Sequence, residues 1–201
     1  MLKKLIIAIV SLFICASAIT TIANAREITP VPHWQKKEIS VYIPDTKDKK
    51  TVSALKSAFS QWQSASVGHI NFKYVKQGPA DIDVIFSDKA SGTASPYTNT
   101  SVKSDSNSIS KSEIHIANEN NEFKTLSNKY LSNIMLNEVG KALGVPNNTT
   151  KPSSIMHDPV SEKQKFMKVD AVKLFSISEW SYSKRNINKK ENLKDNTENN
   201  K

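Results

Sequence analysis

The order of predicted elements between residues 38 and 86 constrains the fold of this chain more than any other feature. A helix is predicted from Thr51 to Ala65, because apolar residues recur there at steps of three and four, with Thr51 as N-cap and Gly68 beyond the end. Alternating or continuous apolar residues predict three strands, at Glu38–Ile43, Ile70–Val75 and Ile82–Phe86. A strand, a helix and two more strands predict an α+β domain in which a helix covers a mixed sheet.

The second half of the chain continues as part of one domain. Residues 88–112 are rich in Ser, Asn and Thr, and we predict a long polar connection there. A short strand is predicted at Glu113–Ile116. A long helix then runs from about Leu126 to Leu143 and ends at Gly144. A last helix is predicted over residues 169–180, with no sign of repeats or of a second domain.

Composition excludes several classes of protein. The chain has 201 residues, which is enough for one domain with its own core. Its only cysteine, Cys15, can form neither an intrachain disulfide nor a zinc site built on thiolates. A mean hydropathy of −0.45 fits a globular chain rather than a membrane bundle.

The first 25 residues have the pattern of a secretory signal peptide. Two lysines precede an apolar run, and Ala23-Asn24-Ala25 forms a small-residue cleavage site. We therefore predict cleavage after Ala25 and a secreted or periplasmic destination. The apolar run is too short to cross a membrane, so we expect no transmembrane span in the mature chain. Cleavage would also remove Cys15, and with it any thiol nucleophile.

Residues 184–201 have a composition that cannot support a folded structure. They contain six Lys or Arg residues, three acidic residues and six asparagines, with few apolar side chains to offset the entropy of ordering. We predict a disordered basic tail, after a folded domain at 38–183 and a linker at 26–37. The tail has no aromatic ring to stack on bases, which argues against nucleic acid as a partner. Its charge leaves open a role in binding a surface of the cell envelope.

The most informative stretch is residues 137–147, NEVGKALGVPN. Taken alone, it fits a core helix that ends at glycine and carries a Glu138–Lys141 pair one turn apart. It also resembles the zinc motif of the metzincin metalloproteases, HExxHxxGxxH, and most closely the HExGHxLGxxH form of the matrixins. Glu138, Leu143 and both glycines match this motif. Its three histidine positions are occupied here by Asn137, Lys141 and Asn147.

Other segments extend the resemblance to most of the chain. Ser154-Ile155-Met156-His157 is similar to the Met-turn beneath the zinc ion of metzincins, although Asp158 stands where astacins have a tyrosine. Three segments have matrixin-like counterparts: the first helix at 52–62, the strand region at 80–86 and the substrate-binding edge strand at 113–116. The resemblance implies a metzincin, zincin-like fold with a mixed twisted sheet, two long helices, a Met-turn at Met156 and a C-terminal helix.

The resemblance also implies roles for the residues of the motif. Two ligands one helical turn apart would hold zinc, and Glu138 would be the general base that activates the metal-bound water. An asparagine oxygen is a weak ligand for zinc. Lys141 would have to lose a proton, which costs roughly 4 to 5 kcal/mol at neutral pH from a reference pKa near ~10.4. We therefore expect no metal or other cofactor, with the Lys141 ammonium at the metal position and facing Glu138.

Two functions follow from these residues. The first is an exported matrixin-like pseudopeptidase that binds an unknown protein or peptide partner through the inherited cleft. The alternative is an active metalloendopeptidase with Glu138 as general base and an atypical zinc site. The ligands of that site would be drawn from Glu138, Asn147, His157 and Asp158.

Overall fold

The computed structural model describes residues 31–87, 95–117 and 125–171. The signal peptide, the basic tail and the C-terminal helix beyond residue 171 lie outside these ranges and stay predictions. The elements in chain order are β1 (Glu38–Tyr42), α1 (Lys49–Ala65), β2 (Asn71–Val75), β3 (Ile82–Ser87), β4 (Tyr97–Val102), β5 (Ile109–Ala117) and α2 (Asn128–Ala142). Among the residues described, no helix is long and apolar enough to span a membrane.

The strands form one mixed sheet with the order β2-β1-β3-β5-β4. β1 pairs in parallel with β2 and β3, and β3 pairs in parallel with β5. β4 runs antiparallel to β5 at one end of the sheet. The α+β class and the mixed sheet predicted from the sequence are therefore confirmed.

Two predictions for residues 88–117 are wrong. The polar connection at 88–112 contains all of β4 and the first part of β5. The segment 113–116 is not an edge strand, because β5 lies between β3 and β4 and the edge is β4. The helix-facing positions of β4 include Thr98 and Thr100, so the strand lacks the apolar alternation by which strands are recognised.

The ends of both long helices are fixed by short polar side chains and by glycine. α1 begins two residues earlier than predicted, and its N-cap is Asp48 rather than Thr51, since Asp48 Oδ1 accepts a hydrogen bond from the Thr51 backbone N–H at 3.0 Å. Ser127 caps α2 in the same way, by accepting from the Tyr130 N–H. After α2 the chain turns at Gly144, which has a φ of +83°.

The core lies between the sheet and the two helices. Two buried tryptophans also join segments that are distant in the chain, because each donates its indole N–H to a carbonyl of α2 at 2.9 Å: Trp62 to Leu136 and Trp34 to Ala142. Trp34 belongs to the segment predicted as a linker. At least this part of residues 26–37 is packed against the domain.

Candidate functional site

Gly140 brings the last turn of α2 into contact with the segment that follows the helix. A Cβ atom at this position would lie 2.5 Å from Met156 Sδ and 2.7 Å from Trp62 Cζ2, closer than packed atoms approach. Met156 is fully buried. The residues of the predicted Met-turn therefore pack beneath the helix that carries Glu138.

Asn137, one turn before Lys141, ties α2 to the same segment. Its side chain is fully buried, and Nδ2 donates to the backbone carbonyl of Ile155 at 2.8 Å. Oδ1 has no hydrogen-bond partner among the described residues. The side chain thus uses its donor end to hold the helix against the turn.

Glu138 and Lys141 form the predicted ion pair. Lys141 Nζ lies 3.1 Å from Glu138 Oε1, with side-chain exposures of 27% for Lys141 and 4% for Glu138. The other carboxylate oxygen, Oε2, accepts a hydrogen bond from the Thr98 hydroxyl at 2.6 Å. Thr98 was missed from the sequence because it lies in the polar stretch predicted to be a connection. Nothing in that stretch marks one threonine among its neighbours.

Asp158 extends this pair into a network. Its Oδ1 lies 3.6 Å from Lys141 Nζ, and its Oδ2 accepts a hydrogen bond from Asn147 Nδ2 at 2.6 Å. Lys141 and Asn147, two of the three predicted ligand positions, therefore meet at Asp158 rather than over Met156. We call the five side chains of Thr98, Glu138, Lys141, Asn147 and Asp158 the cleft network.

His157 was predicted as a possible accessory residue. Its backbone stabilises the turn, since its N–H donates to the Ser154 carbonyl at 3.2 Å and its own carbonyl accepts from Gln164 Nε2 at 2.7 Å. It is not one of the side chains that surround Lys141 in the contacts described above. The structure thus brings Asp158 to Lys141 by a side chain, whereas His157 contributes to the turn through its main chain.

The pKa of Glu138 depends on burial and on the charged and polar groups beside it, which act in opposite directions. Burial raises the pKa of Glu138 above its ordinary value, because desolvation disfavours the carboxylate. The Lys141 ammonium and the Thr98 hydroxyl favour the charged form, whereas the Asp158 carboxylate opposes it. Burial outweighs the favourable contacts, so the pKa of Glu138 stays raised beside a fixed cation.

An exposed lysine on the other face of the sheet gives a comparison. Lys111 Nζ lies 2.7 Å from Glu113 Oε1 and 3.2 Å from Asp83 Oδ2, and its side chain is 38% exposed. The hydrogen bond from Lys111 is the main cause that lowers the pKa of Glu113 below its ordinary value. The same type of pair thus shifts the pKa in opposite directions, because Glu138 is buried and Glu113 is not.

A cavity of about 300 Å³ adjoins the cleft network. Ser95 and Pro96, which lead into β4, form one side of it. The charged side chains of Glu138, Lys141 and Asp158 also line it. The remaining lining residues are apolar or aromatic: Tyr130, Ile134, Pro159 and Val160.

The three positions that the resemblance assigns to zinc ligands do not fit the ion. Asn137 and Asn147 each direct an amide donor to an oxygen, at Ile155 and Asp158 respectively. Lys141 places an ammonium between two carboxylates, and this charge repels a second cation. Over the ranges that the structure covers, no group of three His, Cys, Asp or Glu side chains could hold a metal.

Comparison with known proteins identifies one family. Residues 33–178, well over half of the chain, match the family model for matrixin. Among curated proteins, none matches this sequence. The matched range includes every described strand, both helices and the cleft network.

Proposed function

This chain belongs to the matrixin family, and we propose that it is an exported member that has lost peptidase activity and binds a protein or peptide partner in its cleft. One observation carries the proposal. The Lys141 ammonium lies 3.1 Å from Glu138 and 3.6 Å from Asp158, beside the carboxylate at the general-base position. Matrixins normally bind zinc, and here a side-chain cation supplies the positive charge.

Two features of the network support the loss of water activation. Zinc-dependent hydrolysis uses a metal-bound water and a carboxylate that accepts its proton. Both carboxylate oxygens of Glu138 already accept hydrogen bonds, from Lys141 and from Thr98. An ammonium has donors but no open coordination position, so Lys141 cannot hold and acidify water as a metal does.

The cleft keeps the features that bind an extended chain. β4 is one of the two edge strands of the described sheet, and no charged side chain occurs in its sequence, YTNTSV. The unpaired backbone groups of such an edge are a template for a partner strand. The cavity beside Glu138 lies next to the residues that lead into β4, so a peptide paired with this strand passes over it.

A hydrolysis assay tests the loss of activity. Mature protein is incubated with casein and with quenched fluorescent peptides, with and without a chelator, beside a Glu138→Gln variant. The proposal expects background rates under all conditions. Hydrolysis that both the chelator and Glu138→Gln abolish would overturn the proposal and support the alternative of an active metalloendopeptidase.

Export is part of the same proposal. It is supported by the positive start, the apolar run and the Ala23-Asn24-Ala25 site in the first 25 residues. Expression of the full chain in a bacterial host, followed by N-terminal sequencing of the protein outside the cytoplasm, tests it. A product that begins at Arg26 is expected. Retention of the intact N-terminus inside the cell would contradict export.

A further inference from the structure

We propose that Lys141 anchors the partner by donating an N–H to a main-chain carbonyl of an extended peptide, whose apolar side chain enters the cavity beside it. This inference rests on the proposed function, since it names the group that the cleft recognises.

Lys141 has donor capacity that the described residues do not use. An ammonium carries three N–H donors. One donates to Glu138 Oε1, and Asp158 Oδ1, at 3.6 Å, is an ion-pair contact beyond hydrogen-bond length. Within the described ranges, at least one N–H of Lys141 therefore has no acceptor. The side chain is 27% exposed and lines the cavity, so a ligand can reach this group.

The ammonium is also held in place before a ligand arrives. Glu138 lies on the same helix as Lys141, whereas Asp158 comes from the segment after the predicted Met-turn. Two carboxylates on different segments restrict a long side chain that would otherwise lose much rotamer freedom when a ligand orders it. A donor fixed in this way binds its acceptor at a lower entropic cost.

The charge of the cavity selects the type of acceptor. Glu138 and Asp158 together carry two negative charges when ionised, against the single positive charge of Lys141. A carboxylate ligand would therefore meet a net negative surface, whereas a neutral carbonyl oxygen accepts from Lys141 without adding charge. The walls formed by Ile134, Pro159 and Val160 suit an apolar side chain.

Strand β4 supplies the alignment of the peptide. The Thr98 hydroxyl contacts both Glu138 Oε2 and the Glu138 backbone carbonyl, at 2.6 and 3.1 Å. The strand is thereby fixed to the helix turn that carries the anchor. A peptide that pairs with the outer side of β4 runs past Lys141 with its carbonyl groups at regular spacing.

Selection from a phage-displayed library of random linear peptides on the immobilised mature protein tests the inference. Enriched peptides should share an apolar residue and lack an acidic residue beside it. Their affinities are then measured by calorimetry for wild type, Lys141→Met and the control Lys111→Met. Lys141→Met keeps the length of the side chain without its donors, and we expect about a tenfold loss of affinity, typical of one hydrogen bond to a charged group. Lys111→Met should bind like wild type.

An ester scan of a selected peptide makes the test independent of any change in fold. Replacing the anchored residue's amide by an ester weakens its carbonyl as an acceptor. The replacement also removes one N–H donor, so affinity should fall more for wild type than for Lys141→Met. Equal binding of peptides by wild type and Lys141→Met would overturn the anchor while partner binding stands. Failure to enrich any peptide would contradict the proposed function itself, and the anchor with it.

Discussion

At the level of single residues, Lys141 differs from a surface lysine because its carboxylate partner is buried. Its partner Glu138 is 4% exposed, whereas Glu38, the carboxylate that pairs with the surface residue Lys73 at 3.4 Å, is 59% exposed. A surface pair contributes about 0 to 1 kcal/mol, but removing the partner of a buried charge costs more, because that charge is left without solvent or counter-ion. The two lysines are therefore expected to differ in their effect on stability.

Replacement of Lys141 by methionine should lower the free energy of unfolding by about 1 to 2 kcal/mol at neutral pH, because the buried Glu138 carboxylate loses its nearest cation. The loss should shrink as the pH falls through the pKa of Glu138, since the protonated acid needs no counter-ion. Urea unfolding of both proteins at several pH values measures this loss of unfolding free energy. Lys73→Met is the control, with an expected change below about 0.5 kcal/mol, because both members of its pair with Glu38 are exposed. Equal effects of the two substitutions would contradict the buried pair.

The raised pKa of Glu138 predicts the sign of a second pH dependence. The folded protein binds this proton more tightly than the unfolded chain does. Protonation of Glu138 therefore stabilises the fold fully at a pH below the pKa of this residue in the unfolded chain. This stabilisation is lost as the pH rises through the raised pKa of Glu138 in the folded protein. Glu138→Gln removes this loss, so its stability relative to wild type should increase with pH. A difference that stays constant from about pH 4 to pH 8 would show an unshifted pKa.

At the level of elements, two glycines of positive φ in the described part of the chain allow the cost of backbone strain to be compared with that of steric contact. Gly68 and Gly144 both have a φ of +83°, but a Cβ at Gly68 meets nothing within 4 Å, whereas a Cβ at Gly144 would lie 2.0 Å from the Pro32 carbonyl oxygen. Gly68→Ala should cost about 1 kcal/mol from conformation alone. Gly144→Ala should cost more than about 3 kcal/mol, because a backbone atom must also move. Thermal unfolding compares them, and similar losses would show that the segment before β1 is not packed against α2.

Elements with strong apolar periodicity could be predicted from the sequence, and elements without it could not. β1, β2, β3 and both long helices were placed to within about two residues, apart from the Asp48 cap of α1. β4 was missed because its hydroxyl side chains, such as Thr98, satisfy polar groups of α2 instead of filling the core. Tertiary contacts of this kind leave no periodic pattern in the sequence.

Some contacts of the site could be predicted from the sequence and others could not. Helical spacing places Lys141 one turn after Glu138, so their contact could be foreseen from the sequence alone. The positions of Asn147 and Asp158 depend on the path of the chain after α2, which no local pattern encodes. The sequence therefore indicated the central pair and named Asn147 and Asp158 as candidate site residues, but it did not predict their contact with each other, and it missed Thr98.

At the scale of the whole molecule, the folded domain and the basic tail should be independent. Residues 184–201 have almost no apolar side chain with which to join a core. Deleting them should leave the melting temperature unchanged and peptide affinity within about twofold of wild type. Calorimetry of the truncated protein measures both. Loss of peptide binding on deletion, together with strong weakening by salt, would instead assign the interaction to the tail.

The proposed replacement of a metal ion by Lys141 concerns the whole domain, because metal binding and folding are coupled. The most direct measurement is the zinc content of purified mature protein, determined by mass spectrometry together with the melting temperature before and after treatment with a chelator. If Lys141 takes the place of the metal, we expect zinc well below one ion per chain and an unchanged melting temperature. One tightly held zinc ion per chain, whose removal lowers the melting temperature, would contradict it.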